Sequence, residues 1–174
     1  MKQEFYDRLA APFETSERKK NCLLRVNHIL TDVVYLVYPA LLFYLMVYRD
    51  SRFWRVLLVP AVTFVLVSLF RRKFNAPRPY EKWPVKPLIP KDTKGNSFPS
   101  RHVFSIYIIA MAAWYVCPPL GVILCVAGVF LAAARVIGRV HFVKDVVAGA
   151  LIAVGCGIPV SYTHLRAHET SQDL

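Results

Sequence analysis

Five apolar runs, separated by charged or proline-bearing stretches, constrain this chain more than any other feature. The first spans His28 to Tyr48, the second Phe53 to Phe70, the third His102 to Val116, the fourth Leu120 to Ile137 and the last Val146 to Val160. A helix needs about 20 apolar residues to cross a bilayer core, and the first run meets that length while the last is short. Hydrocarbon offers the backbone no hydrogen-bond partner, so each run is expected to be a helix whose N–H and C=O groups pair internally. The fold class expected is all-α, a transmembrane bundle of five spans, with Pro60 kinking the second.

Composition agrees. The chain is 56% hydrophobic and 19% charged, and its mean hydropathy is +0.39. The net charge is +11, from 22 Lys and Arg against 11 Asp and Glu. Basic residues commonly flank membrane helices, and the same excess suits an anionic ligand or lipid headgroup. Nucleic acid is not expected as a partner, because the basic residues crowd the ends of apolar runs instead of one polar face. Cys22, Cys117, Cys125 and Cys156 form no Cys-x-x-Cys pair, so they read as small buried hydrophobes, with neither a disulfide frame nor a zinc site.

Residues 1–27 place Phe5, Leu9 and Phe13 at helical spacing before Arg18-Lys19-Lys20. They are expected to form an amphipathic surface helix or a loose tail. Residues 28–160 form the membrane-embedded domain. Residues 161–174 turn abruptly polar and read as a tail foreign to it, so His164 and His168 are set aside. The longest polar connection, 71–101, holds prolines at 77, 79, 84, 87, 90 and 99, which excludes a long regular element. Five spans put the N-terminus, this loop and the 135–145 stretch on one side.

Three pieces carry candidate chemistry. His141 and Asp145, four apart, share one helix face, so the carboxylate can hold one ring nitrogen and leave the other free to attack or to pass a proton. Arg135 lies six residues earlier and can clamp an anion beside them. At the exit of the second run, Arg71-Arg72-Lys73 and then Arg78-Pro79 offer planar guanidinium groups that suit phosphate oxygens. At the mouth of the third run, Pro99-Ser100-Arg101-His102 sets a hydroxyl and free N–H groups at a helix start, which favours anions.

In order and spacing, these pieces resemble the type-2 phosphatidic acid phosphatase (PAP2) family, which shares its active site with vanadium-dependent haloperoxidases. The family pattern is Lys-x6-Arg-Pro, then Pro-Ser-Gly-His, then Ser-Arg-x5-His-x3-Asp. The chain reads Arg71-x6-Arg78-Pro79, Pro99-Ser100-Arg101-His102 and Ala134-Arg135-x5-His141-x3-Asp145. The likeness covers residues 71–149. Arg71 stands for lysine, Arg101 for glycine and Ala134 for serine, which bears on substrate choice more than on activity.

The resemblance implies a multi-pass membrane phosphatase that needs no metal or cofactor. His141 would attack phosphorus and form a phosphohistidine, Asp145 would orient it, and His102 would protonate the leaving oxygen and then activate water. Arg71, Arg78 and Arg135 would bind the phosphoryl oxygens, with Ser100 and the Arg101 backbone N–H completing the cradle. The substrate implied is a lipid phosphate or diphosphate: a polyprenyl diphosphate, phosphatidate or phosphatidylglycerophosphate. The alternative is an inert membrane protein that holds such a lipid in the same cradle. Counting Lys and Arg puts the site on the cytoplasmic face, whereas the resemblance points to the outer face of the cell membrane.

Overall fold

The computed structural model describes residues 3–169, with side chains described through Ile158. All regular structure among these residues is helical: α1 (Gln3–Glu14), α2 (Glu17–Val47), α3 (Phe53–Phe74), α4 (Pro79–Lys82), α5 (Arg101–Val116), α6 (Pro118–Ile137) and α7 (Val143–Glu169). Among the described residues, α2, α3 and α6 are long and apolar enough to cross a membrane. The shorter α5 is the centre of the bundle. Val103, Phe104, Ile106, Ile108 and Ala110 on it are buried, and it packs chiefly against α6 and α7. Large apolar side chains face outward instead, among them Leu36, Leu58, Leu66, Phe130 and Leu151. An outward apolar surface on membrane-length helices is what lipid tails cover.

Two local devices hold the helices at close quarters. Pro60 has no N–H, so the Val56 carbonyl loses its helical donor. The Tyr38 hydroxyl of α2 donates to that carbonyl at 3.1 Å and also reaches Leu57 O at 3.2 Å, which pins α2 to α3 at the defect. On α6, a Cβ at Gly121 would lie 2.6 Å from the Trp114 Cα, so only glycine lets α6 approach the α5 backbone this closely.

Several expectations shift. Helix α2 starts at Glu17, well before His28, so the boundary drawn at residue 27 falls inside a helix. The stretch Glu17 to Asn27 holds two Lys, two Arg and two Leu, good helix formers that sustain a helix without making a continuous apolar run. Pro118 and Pro119 open α6 as well as closing α5, because a first-turn proline gives up an N–H that has no helical partner anyway. Cys22 and Cys117 are exposed, not buried. Cys22 faces outward on the polar start of α2, and Cys117 sits at the α5–α6 junction. The 75–100 connection holds only the short α4, as its prolines require. The reading of 161–174 as a foreign tail concerns side chains outside the described residues.

Candidate active site

Four helix ends and the proline-bearing loop meet at one end of the bundle. The last turn of α3 presents Arg71, the loop before α4 presents Arg78, the start of α5 presents Ser100 to His102, and the α6–α7 turn presents Arg135 to Asp145. Arg71, Arg78, Ser100, Arg135, His141 and Asp145 are all buried. Charged groups are rarely buried so densely without a shared task.

Arg135 ties the two histidines together. Its guanidinium reaches His102 Nδ1 at 3.1 Å, while its own carbonyl accepts from the His141 backbone N–H at 3.3 Å. Arginine only donates, so His102 Nδ1 accepts and a neutral His102 carries its proton on Nε2. The guanidinium also donates to Asn27 Oδ1 of α2 at 3.0 Å.

Behind His141 lies a carboxylate that is itself held. Asp145 Oδ2 accepts from Ser97 Oγ at 2.5 Å and from the Phe142 N–H at 3.0 Å. His141 Nδ1 lies 3.6 Å from that oxygen and 3.4 Å from Ser97 Oγ. This arrangement turns Nδ1 toward Ser97 and Asp145 and leaves Nε2 free. Burial pushes the His141 imidazole below its usual range, against the pull of Asp145. The ring is therefore neutral near pH 7, as a nucleophile must be.

Arg71 and Arg78 are placed as expected, but each also holds the loop. Arg71 donates to the carbonyls of Ser97, at 3.4 Å, and of Asn96. Arg78 donates to Gly95 O and Val140 O, each at 3.0 Å. Both terminal nitrogens of Arg71, Nη1 and Nη2, are thus engaged with backbone, and Arg78 links the loop to the turn that carries His141. Burial holds the Arg78 guanidinium below its usual range. Among the described residues, Ser100 Oγ and Arg135 Nε are buried with no hydrogen-bond partner. Two unmatched donors beside the histidines suit the oxygens of a phosphoryl group. The Arg101 side chain departs from this group. It is exposed, and its guanidinium lies 5.6 Å over the Phe64 ring.

Two cavities of about 360 Å³ each adjoin the cluster, and Arg101 lines both. One is apolar, walled by Val34, Tyr38, Pro60, Phe64, Ile108 and Leu131, and His102 also lines it. The other is basic, lined by Arg71, Arg72, Arg78, Lys91, Lys94 and Arg101. Burial, followed by the nearby arginines, lowers the Lys91 ammonium from its usual value. No group of three or more His, Cys, Asp or Glu able to hold a metal occurs among the described residues.

Ser97, Asn27 and Lys91 were not expected from the sequence. A serine three residues before Ser100, an asparagine on a charged helix start and a lysine in a proline-bearing loop carry no spacing signal of their own.

No curated protein matches the chain. Among solved structures, the chain is similar to LpxE from Aquifex aeolicus, with a TM-score of 0.71 and 25% identity, covering 90% of this chain and 92% of that one. It also shares its fold with the transmembrane PAP2-type phosphatidylglycerolphosphate phosphatase from Bacillus subtilis, with a TM-score of 0.55, 21% identity and 93% of each chain covered. The family model described as the PAP2 superfamily matches residues 52–169, well over half of the sequence and every piece of the cluster on α3 to α7. The chain therefore belongs to the PAP2 superfamily and has the fold of its membrane phosphatases.

Proposed function

We propose that this protein is an integral membrane lipid phosphatase of five spans that works through a phosphohistidine. His141 Nε2 attacks phosphorus as the P–O bond to the leaving oxygen breaks. His102, which takes up a proton with the anionic substrate, gives its Nε2 proton to that oxygen and becomes the neutral base. His102 then takes a proton from water as the water oxygen attacks phosphorus and the P–N bond breaks, releasing phosphate and restoring both imidazoles. Asp145 with Ser97 steadies the His141 ring as it gains charge. Arg135 Nε, Ser100 Oγ and the Arg101 N–H meet the phosphoryl oxygens, with Arg71 and Arg78 supplying positive field at short range.

The observation that carries this reading is that one residue, Arg135, contacts both histidines, the His102 ring through its guanidinium and the His141 backbone N–H through its carbonyl. The apolar cavity that His102 helps line suits a lipid tail, and the basic cavity beside it suits a phosphate headgroup. The substrate is a lipid phosphate or diphosphate: a polyprenyl diphosphate, phosphatidate or phosphatidylglycerophosphate.

A phosphate-release screen over these lipids, with purified protein in mixed micelles, tests the proposal. Release from at least one lipid is expected, falling by about three orders of magnitude or more in His141→Ala, where the nucleophile is gone. Tight binding of such a lipid with no release from any would favour an inert binding protein instead.

A further inference from the structure

The turn that carries His141 is gripped from outside the active site by α1. Arg139, two residues before His141, has φ +56°, the left-handed region that residues with a Cβ enter at a cost. Its guanidinium is buried and is held by two carboxylates of α1. It donates to Asp7 Oδ1 at 2.9 Å and to Glu14 Oε1, and it also reaches Lys86 O at 3.5 Å. Asp7 and Glu14 stand two helical turns apart, so one face of α1 presents both. On the far side of His141, the Tyr6 hydroxyl accepts from the Val143 N–H at 3.2 Å. The Tyr6 ring meets Phe142 edge-on, with centroids 5.8 Å apart, and leans on Trp83 at 5.3 Å. Helix α1 therefore holds the turn at Arg139 and at Phe142–Val143, bracketing His141.

We infer that α1 is a brace for the nucleophile, and that Asp7, Glu14 and Arg139 are positioning residues that fix where His141 sits. A residue in the left-handed region keeps that shape only where its surroundings hold it there, and these charge pairs are part of that hold. The position of His141 follows from the shape of the turn, and a shift of about 1 Å in a reacting group can cost a hundredfold in rate. The inference rests on the phosphatase reading for its kinetic consequence, but its structural claim does not.

Two changes test it from opposite sides. The double variant Asp7→Asn with Glu14→Gln removes both negative charges and keeps side-chain size. Arg139→Gly removes the guanidinium while easing the left-handed backbone, so the backbone itself gains nothing from the arginine. Each is compared with wild type on the lipid phosphate that the wild type hydrolyses fastest, and by amide hydrogen exchange across the whole chain. Both variants should lose about tenfold or more in kcat with KM changed less than threefold. Exchange should quicken at residues 139–143 while the amides of α5 keep their protection, and Arg139→Lys should recover part of kcat. Wild-type kcat in either variant, a loss confined to KM, or unchanged exchange in the turn overturns the brace. Faster exchange throughout the chain also overturns it, since α1 would then be a general support. If no form releases phosphate but exchange quickens at 139–143, the phosphatase reading fails and the brace stands.

Discussion

Ser97→Ala isolates the contact that turns Asp145 into a useful partner for His141. Three groups approach Asp145 Oδ2: Ser97 Oγ at 2.5 Å, the Phe142 N–H at 3.0 Å and His141 Nδ1 at 3.6 Å. The change deletes the shortest and leaves a wholly buried carboxylate with one backbone donor. It also removes the oxygen that lies 3.4 Å from His141 Nδ1, nearer than the carboxylate itself. A hydrogen bond to a charged group contributes about 1.5–3 kcal/mol. At 1.36 kcal/mol per decade, a loss of that size expressed in the transition state slows the reaction about 10- to 150-fold. Steady-state phosphate release at saturating lipid should therefore show kcat reduced within that range and KM nearly unchanged, since Ser97 touches the groups behind the proposed nucleophile. A melting curve taken in the same micelles separates this from unfolding. If Asp145 closes on His141 unaided, the hydroxyl is dispensable. A Ser97→Ala protein with kcat within threefold of wild type and an intact melt would refute the argument.

Two further outcomes follow from packing and burial. A Cβ at Gly149 of α7 would lie 2.7 Å from the Ser100 carbonyl and 3.3 Å from the Phe104 nitrogen, both backbone atoms of the α5 start. Gly149→Ala should lower stability by about 1–3 kcal/mol through overpacking, and should slow phosphate release by displacing Ser100, read by melting temperature and kcat together. The neutral, buried His141 predicts acid sensitivity. Its folded-state pKa lies below its ordinary value, so below about pH 6.5 the unfolded chain binds a proton that the folded chain refuses. Stability present above that value is lost as pH falls. His141→Asn should flatten the decline in melting temperature between about pH 7.5 and 5, and parallel curves for the two proteins would contradict this.

The membrane helices were legible because lipid demands apolar composition over a fixed length, and no tertiary detail is needed to see it. The start of α2 was not, since Glu17 to Asn27 form a helix from polar residues with good propensity, beyond any apolar signal. The His141–Asp145 pairing was legible from a spacing of four, and Arg135 from its place at the end of α6. What the arginines do with their remaining donors was hidden. Arg71 and Arg78 bind the carbonyls of Gly95, Asn96, Ser97 and Val140, and a carbonyl has the same chemistry whatever side chain it carries. Ser97 and Asn27 act through contacts between residues 48 and 108 positions apart, and such contacts leave no local pattern.

The double engagement of Arg135 changes how its mutants must be interpreted. Arg135→Ala would withdraw a cation from the proposed phosphoryl site, free His102 to adopt the other tautomer, and strand the amide of Asn27 in the interior. Three faults from one truncation cannot be apportioned by a single rate. Any kinetic deficit at this position measures the collapse of a shared hub, and only cycles pairing it with changes at Asn27 and His102 can separate the contributions.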